Sequence, residues 1–328
     1  MTRLEVAIER FPIAGSFTIS RGSKTEAVVV VATIRDGPHV GQGECVPYAR
    51  YGETPEAVAA AIQSLSGPIA DGATNGDLQH LLPPGAARNA LDCALIDLAA
   101  KRSGRPAHEL LGLRAPRTVV TCVTISLGTP EAMAEAAIAR MGWPLLKLKL
   151  GGAGDRERIA AVREAVPSAR LVVDANEAWD EASLEDHLAA CAGAGVELVE
   201  QPLPAGRDLP LAEIARPVPV CADESIHGLA SLPDVLGRYD AINIKLDKTG
   251  GLTEALALAA AARSHGLGLM IGSMVATSLS VAPALLLAAD CDFADLDGPV
   301  LLQRDRSVCV AYDGANLLAP TSGWGWPT

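Results

Sequence analysis

Aromatic side chains are scarce: four Trp, four Tyr and three Phe in 328 residues. The core must therefore be built from Ala, Leu, Val and Ile. Positive charge is also short, with 27 basic against 39 acidic residues and a net charge of −12. That balance excludes an extended nucleic-acid or anionic-membrane surface, since both need a positive field. An anionic small molecule stays open, because a pocket can carry local cations. No apolar run spans a bilayer; the longest, residues 281–289, is far below the ~20 residues required. Met1-Thr2-Arg3-Leu4-Glu5 opens no long apolar stretch of the kind that marks a secretory signal. The seven cysteines are scattered, odd in number and form no C-x-x-C pair. They read as small buried hydrophobes in a reducing compartment rather than zinc or disulfide partners, so a cytoplasmic protein is expected.

What is present is an ordinary globular mix, 49% hydrophobic and 20% charged. The length suits two domains, or one large α/β barrel with an addition. Residues 27–34, Ala-Val-Val-Val-Val-Ala-Thr-Ile, predict a buried strand, a turn follows at Asp36-Gly37-Pro38, and the chain returns through Val40–Glu44. Residues 86–101 predict a helix with Leu91, Ala94, Leu95 and Leu98 on one face and Asp92 and Asp97 on the other. From Val119 onward, short β-branched runs alternate with Ala-rich helices, the pattern of repeated βα units.

Eight strands are expected: Val119–Ile125, Leu145–Leu150, Leu171–Asp174, Leu198–Glu200, Val218–Ala222, Ala241–Leu246, Gly268–Ile271 and Phe293–Leu296. Charges stand at or just past most of their ends: Lys149, Asp174, Glu200, Asp223, Lys245 and Asp295. The first five recur every 22 to 26 residues, and Lys245 to Asp295 spans two such intervals. A hydrophobic strand ending in a charge once per unit fits a barrel whose site lies on its C-terminal rim. The expected fold is α/β: a modified TIM-type (β/α) barrel over residues 117–311, behind an α+β capping domain over 1–116 on which the 312–328 tail packs. A dinucleotide-binding sheet is the rival, since Gly151-Gly152-Ala153-Gly154 follows a strand. It fails at Glu157, where a small residue is needed and a carboxylate would oppose a pyrophosphate.

Asp174, Glu200 and Asp223 end three successive strands. Parallel neighbours lie ~4.8 Å apart, so three carboxylates converge and repel unless neutralised. All-oxygen ligation of this kind matches Mg²⁺, with Mn²⁺ as an alternative, and disfavours zinc. Single strand-end carboxylates often cap helices, but three in succession exceed that role. Lys147 and Lys149 are two apart and leave one face of their strand. Side by side in a lumen, each would lower the other's pKa toward that of a general base. Lys245 stands four strands further round, on the opposite wall. Together the parts suggest 1,1-proton transfer: a substrate carboxylate on the ion, an enediolate stabilised there, and one lysine on each side of the α-carbon.

The order and spacing of Lys147-x-Lys149, Asp174-x-Asn176, Glu200-Gln-Pro, Asp223-Glu-Ser and Asn243-Ile-Lys245-x-Asp247-Lys248-Thr-Gly-Gly resemble the enolase superfamily, muconate-lactonising subgroup, over essentially the whole chain. The use of a lysine or histidine base with Mg²⁺ is a general property of that superfamily. The resemblance implies Asp174, Glu200 and Asp223 as metal ligands, Lys149 and Lys245 as the acid/base pair, and Lys147 tuning Lys149. It also implies cap loops near residues 15–25 and 45–55 that supply specificity. Asn176 and Glu224 would support the ligands from behind.

Within the superfamily the chain is most similar to the L-Ala-D/L-Glu dipeptide epimerases. Those enzymes hold the dipeptide ammonium group with an Asp-x-Asp pair, here Asp295 and Asp297. Two more buried carboxylates would be costly without a substrate cation. Arg21, Lys24 and Arg50 are the candidates to meet the glutamate side chain. Ser273, Met274 and Thr124 are expected to line the pocket. All six histidines read as surface or loop residues. The expected substrate is a small-molecule dipeptide from cell-wall peptide recycling, or alternatively an acyl amino acid (N-acetylglutamate included) on the same machinery. A cycloisomerase and a non-catalytic binding barrel are weaker options, and a homo-oligomer stays open.

Overall fold

The computed structural model describes residues 2–327. The chain opens with an antiparallel sheet in which Arg3–Ile19 pairs with Gly22–Asp36, which pairs with His39–Cys45. The β-branched run of the middle strand buries Val30, Ala32 and Ile34 against the long helix Ala86–Ser103. Gly41 and Gly43 permit this contact, since a Cβ on either would collide with the backbone of Ala94 or Ala90.

That helix is buried on more sides than its apolar stripe predicts. Asp92 and Asp97, expected on an open face, are fully buried. Asp92 accepts from the Thr253 amide and hydroxyl, and Asp97 from the amides of Gln42 and Gly325. Both carboxylates fasten the helix to other parts of the chain, a role invisible to local periodicity.

Eight parallel strands follow in sequential order: Val123–Ile125, Leu145–Lys149, Arg170–Asp174, Val196–Glu200, Val220–Ala222, Ala241–Lys245, Gly268–Gly272 and Phe293–Asp295. The sheet nearly closes, with the Cys122 amide donating to Ala294 O at 2.9 Å. Its lower lumen is plugged by one apolar layer that includes Leu145, Val172, Leu198, Cys221 and Met270. The α/β class and the barrel behind an antiparallel cap are as expected from the sequence.

Four details differ. The expected strand 119–125 is broken at Thr121-Cys122, because Val119–Val120 pairs with Asn316–Leu317 of the tail rather than with a barrel strand. The connection after the fourth strand holds a short 3₁₀ turn, Leu209–Ala212, and the one after the fifth holds a 3₁₀ turn, Leu229–Ser231, and the four-residue helix Leu232–Val235. His108 and His187 are buried, the latter stacked on Trp179 at 4.6 Å, so not every histidine is a surface residue. Five cysteines are buried, but Cys309 is exposed. At the glycine-rich turn after Lys149, the Asp155 carboxylate itself takes the amides of Gly151 and Gly152, which leaves no phosphate cradle.

Candidate active site

The register of the barrel carries the charges to one rim. Lys149 pairs across the sheet with Asp174, and Asp174 with Glu200. Asp174, Glu200 and Asp223 are all buried, and one carboxylate oxygen from each lies within 4.8 Å of the others. Glu200 Oε2 has no hydrogen-bond partner, although Lys147 Nζ stands 2.6 Å away out of alignment. Burial and the Asp174 charge push Glu200 up to about 7. An all-oxygen donor set with a buried, unsatisfied carboxylate oxygen suits a hard divalent cation.

Lysines surround this cluster. Lys149 Nζ is 2.6 Å from Asp174 Oδ2, and Lys245 Nζ is 2.7 Å from Asp223 Oδ2. Burial raises the pKa of both aspartates, but the flanking ammonium groups outweigh it: Lys149 and Lys147 hold Asp174 below its usual range, and Lys245 and Lys248 hold Asp223 well below. The expectation that neighbouring lysines depress one another fails for Lys147. Burial does lower it, yet Asp295, Glu200 and Asp174 together hold its ammonium well above the ordinary value. Lys147 is fully buried within 3.2 Å of all three carboxylates, closer to opposite charge than the sequence could indicate.

Asp295 and Asp297 lie beside the cluster, both buried. Asp295 already has a cation, Lys147 Nζ at 2.7 Å, and its other oxygen accepts from the Cys122 thiol. Among the described residues Asp297 makes no ion pair and accepts from a neutral donor, the Thr124 amide at 2.7 Å. Burial and the Asp295 charge push Asp297 up to about 7. Of the pair, Asp297 is the one short of positive charge.

Above these groups is a cavity of about 650 Å³. Its walls include Lys149, Lys245, Thr124, Ser273, Met274, Asn176, Asp295 and Asp297 from the barrel, and Phe17, Arg21, Lys24 and Tyr48 from the cap. Through Lys149 and Lys245 this wall touches Asp174 and Asp223. Among the described residues Lys24 makes no ion pair, and its ammonium lies 5.1 Å from the Tyr48 ring centre. Arg50 instead forks onto the Glu177 carboxylate. Arg21 reaches Glu177, Glu224, Tyr48 and the Asn176 carbonyl. Glu224 is therefore tied to the cap, and Asn176 steadies Asp174 through its own amide at 2.9 Å.

Sequence reasoning assigned no role to two buried residues of the 243–248 motif. Asn243 Nδ2 donates to Glu200 Oε1 at 2.8 Å, and Lys248 Nζ donates to the Asp223 carboxylate and to Asn243 O. The two-residue step from Asn243 to Lys245 could have placed Asn243 in the lumen. Lys248 follows the strand in a helical turn, where no such parity applies. Gly272 makes room for both inward groups: a Cβ there would lie 2.7 Å from Asn243 Oδ1 and 3.1 Å from Lys245 Cε.

Residues 1–112 match the mandelate racemase / muconate lactonizing enzyme N-terminal domain, and residues 131–305 match the enolase C-terminal domain-like family. The chain belongs to the enolase superfamily. Among its members, the L-Ala-D/L-Glu epimerase of Escherichia coli is 48% identical over 97% of this chain and 99% of its own. An N-acetyl-D-glutamate racemase from a Pseudoalteromonas species is 43% identical over 90% and 95%. An enolase family member from Agrobacterium tumefaciens with homology to dipeptide epimerases, solved with sodium and L-Ala-L-Glu and an ordered loop, superposes with a TM-score of 0.97. It is 51% identical over 99% of this chain and 100% of that one.

Proposed function

We propose that this chain is an L-Ala-D/L-Glu epimerase that inverts the α-carbon of the second residue by 1,1-proton transfer. The observation that carries the reading is the placement of Lys149 and Lys245, each against a different carboxylate of one buried cluster and both lining one cavity. Asp174, Glu200 and Asp223 would hold Mg²⁺, with Mn²⁺ as a substitute. Bound there, the ion would supply positive charge against the negative charge that develops on the substrate carboxylate. One of Lys149 and Lys245, as a neutral amine, takes the α-proton from one face, and the other, as an ammonium, delivers a proton of its own to the opposite face. Lys147, fixed among Asp295, Glu200 and Asp174, keeps these three carboxyl groups from repelling unchecked.

Asp297 and Asp295 would receive the dipeptide ammonium, and Lys24 the glutamate side chain. Ser273, Met274 and Thr124 would shape the pocket around the backbone of the substrate. The physiological source would be cell-wall peptide released into the cytoplasm. Racemisation of N-acetylglutamate is the second reading, favoured by the 43% identical relative. Against it stands Asp297, a buried carboxylate short of positive charge that an N-acetyl group cannot neutralise.

The deciding experiment incubates the protein and Mg²⁺ with L-Ala-L-Glu and with N-acetyl-L-glutamate in deuterated water. The reading expects deuterium at the glutamate α-carbon of the dipeptide, with both epimers formed. Faster exchange of N-acetylglutamate would transfer the assignment to the second reading, and exchange of neither would remove both.

A further inference from the structure

The hairpin turn that joins the first two cap strands, residues 19–22, reaches across to the barrel and ends on a single guanidinium. Arg21 Nη1 donates to Asn176 O at 2.8 Å and to Glu177 Oε2 at 3.1 Å, while Nη2 donates to Tyr48 Oη at 3.0 Å and Glu224 Oε1 at 2.6 Å. Four of its five N–H donors are thus satisfied by protein. The acceptors are not arbitrary. Asn176 and Glu177 follow Asp174 at the end of the third barrel strand, and Glu224 adjoins Asp223 at the end of the fifth.

The backbone at the receiving end is held for this contact. Asn176 and Glu177 both have positive φ, 46° and 68°, which side-chain-bearing residues adopt only when the surroundings impose it. The turn carries the Asn176 carbonyl outward, where Ser20 Oγ also donates to it at 3.0 Å. Two further contacts seat the same hairpin on the barrel: the Leu127 amide donates to Thr18 O at 3.0 Å, and the Thr18 amide to Ser126 Oγ at 3.3 Å. Phe17 and Lys24, on either side of Arg21, line the cavity.

We propose that Arg21 is a positioning residue rather than a ligand of the substrate carboxylate: it latches the Phe17–Lys24 hairpin onto the ends of the third and fifth barrel strands and so holds the pocket closed. The inference rests on the function proposed above for its kinetic consequences but not for the latch itself. A guanidinium answers two carboxylates and a carbonyl at once through its planar fork, and an ammonium cannot reproduce that. Arg21→Lys therefore breaks the latch while keeping the charge.

The test pairs amide hydrogen exchange of the substrate-free protein with steady-state kinetics, for Arg21→Lys and Arg21→Met. The latch predicts that amides in residues 15–25 exchange roughly tenfold faster or more in both variants, with the barrel strands unchanged. It further predicts a KM raised by roughly tenfold for L-Ala-L-Glu and equally for L-Ala-L-Met, with kcat moved much less. Unchanged exchange would overturn the latch, as would a KM loss confined to the glutamate dipeptide, which would make Arg21 a substrate ligand. The exchange arm reads the latch even if the protein epimerises nothing, so the two proposals fail separately.

Discussion

Lys149 and Lys245 stand on opposite walls of the barrel, four strands apart, with Lys149 Nζ 2.6 Å from Asp174 Oδ2 and Lys245 Nζ 2.7 Å from Asp223 Oδ2. A planar enediolate lying between them would present one face to each amine. This is the arrangement from which inversion, rather than exchange with retention, follows.

Asp297 should control the preference for a free amine. Asp297→Asn is expected to lower kcat/KM for L-Ala-L-Glu by roughly 10- to 100-fold, the range for a lost charged hydrogen bond. The loss with N-acetylglutamate should be small by comparison. Equal losses on both substrates would contradict the role.

The same residue predicts a pH dependence. Asp297 is pushed up to about 7 by burial and by Asp295, and only its ionised form attracts an ammonium group. KM for L-Ala-L-Glu should rise as pH falls through neutrality and recover on return. The Asp297→Asn variant should lack this dependence.

Among the described residues Lys24 lines the cavity without an ion pair, which suits it to meet a side-chain carboxylate. Lys24→Met should raise KM for L-Ala-L-Glu by roughly tenfold or more while improving L-Ala-L-Met. A parallel loss on both dipeptides would assign Lys24 to the pocket wall alone.

Removing the metal should be visible without turnover. Mg²⁺ added to chelator-treated protein is expected to raise Tm by binding only the folded state, since the triad exists only when the barrel closes. Glu200→Gln should abolish most of that rise. A Tm insensitive to Mg²⁺ in the unsubstituted protein would contradict the metal assignment.

Asp247 gives a stability prediction at the cap–barrel contact. It accepts from the Val46 amide and from Asn89 Nδ2, and burial pushes it up from 3.8 to about 7. Its folded pKa exceeds the unfolded one, so the folded protein holds the extra proton and this contribution is lost as pH rises from 3.8 toward 7. Asp247→Asn should flatten the decline of Tm over that range. An unchanged slope would show the carboxylate to be ionised in the fold.

The strand-end charges were legible because a strand's two-residue period and the near-constant length of each βα unit place Asp174, Glu200, Asp223 and both lysines without knowledge of their partners. The protein partners of Arg21 were hidden by the same token. Its acceptors on the barrel lie 155 to 203 residues away, and nothing in Ser20-Arg21-Gly22 distinguishes a latch from a substrate cation. Asp92 and Asp97 were hidden likewise, since helical periodicity reports one apolar face and not a second docking surface. The break at Thr121-Cys122 depended on the tail strand Asn316–Leu317, a pairing that local β-propensity does not encode.

The central claim is that one lysine serves each face of the α-carbon. It is tested most directly by Lys149→Ala and Lys245→Ala in deuterated water with Mg²⁺, each offered L-Ala-L-Glu and L-Ala-D-Glu separately. The account predicts reciprocal behaviour: neither variant epimerises, each retains α-proton exchange from one epimer, and the two retain opposite ones. Loss of exchange from the same epimer in both variants, or continued epimerisation by either, would contradict it.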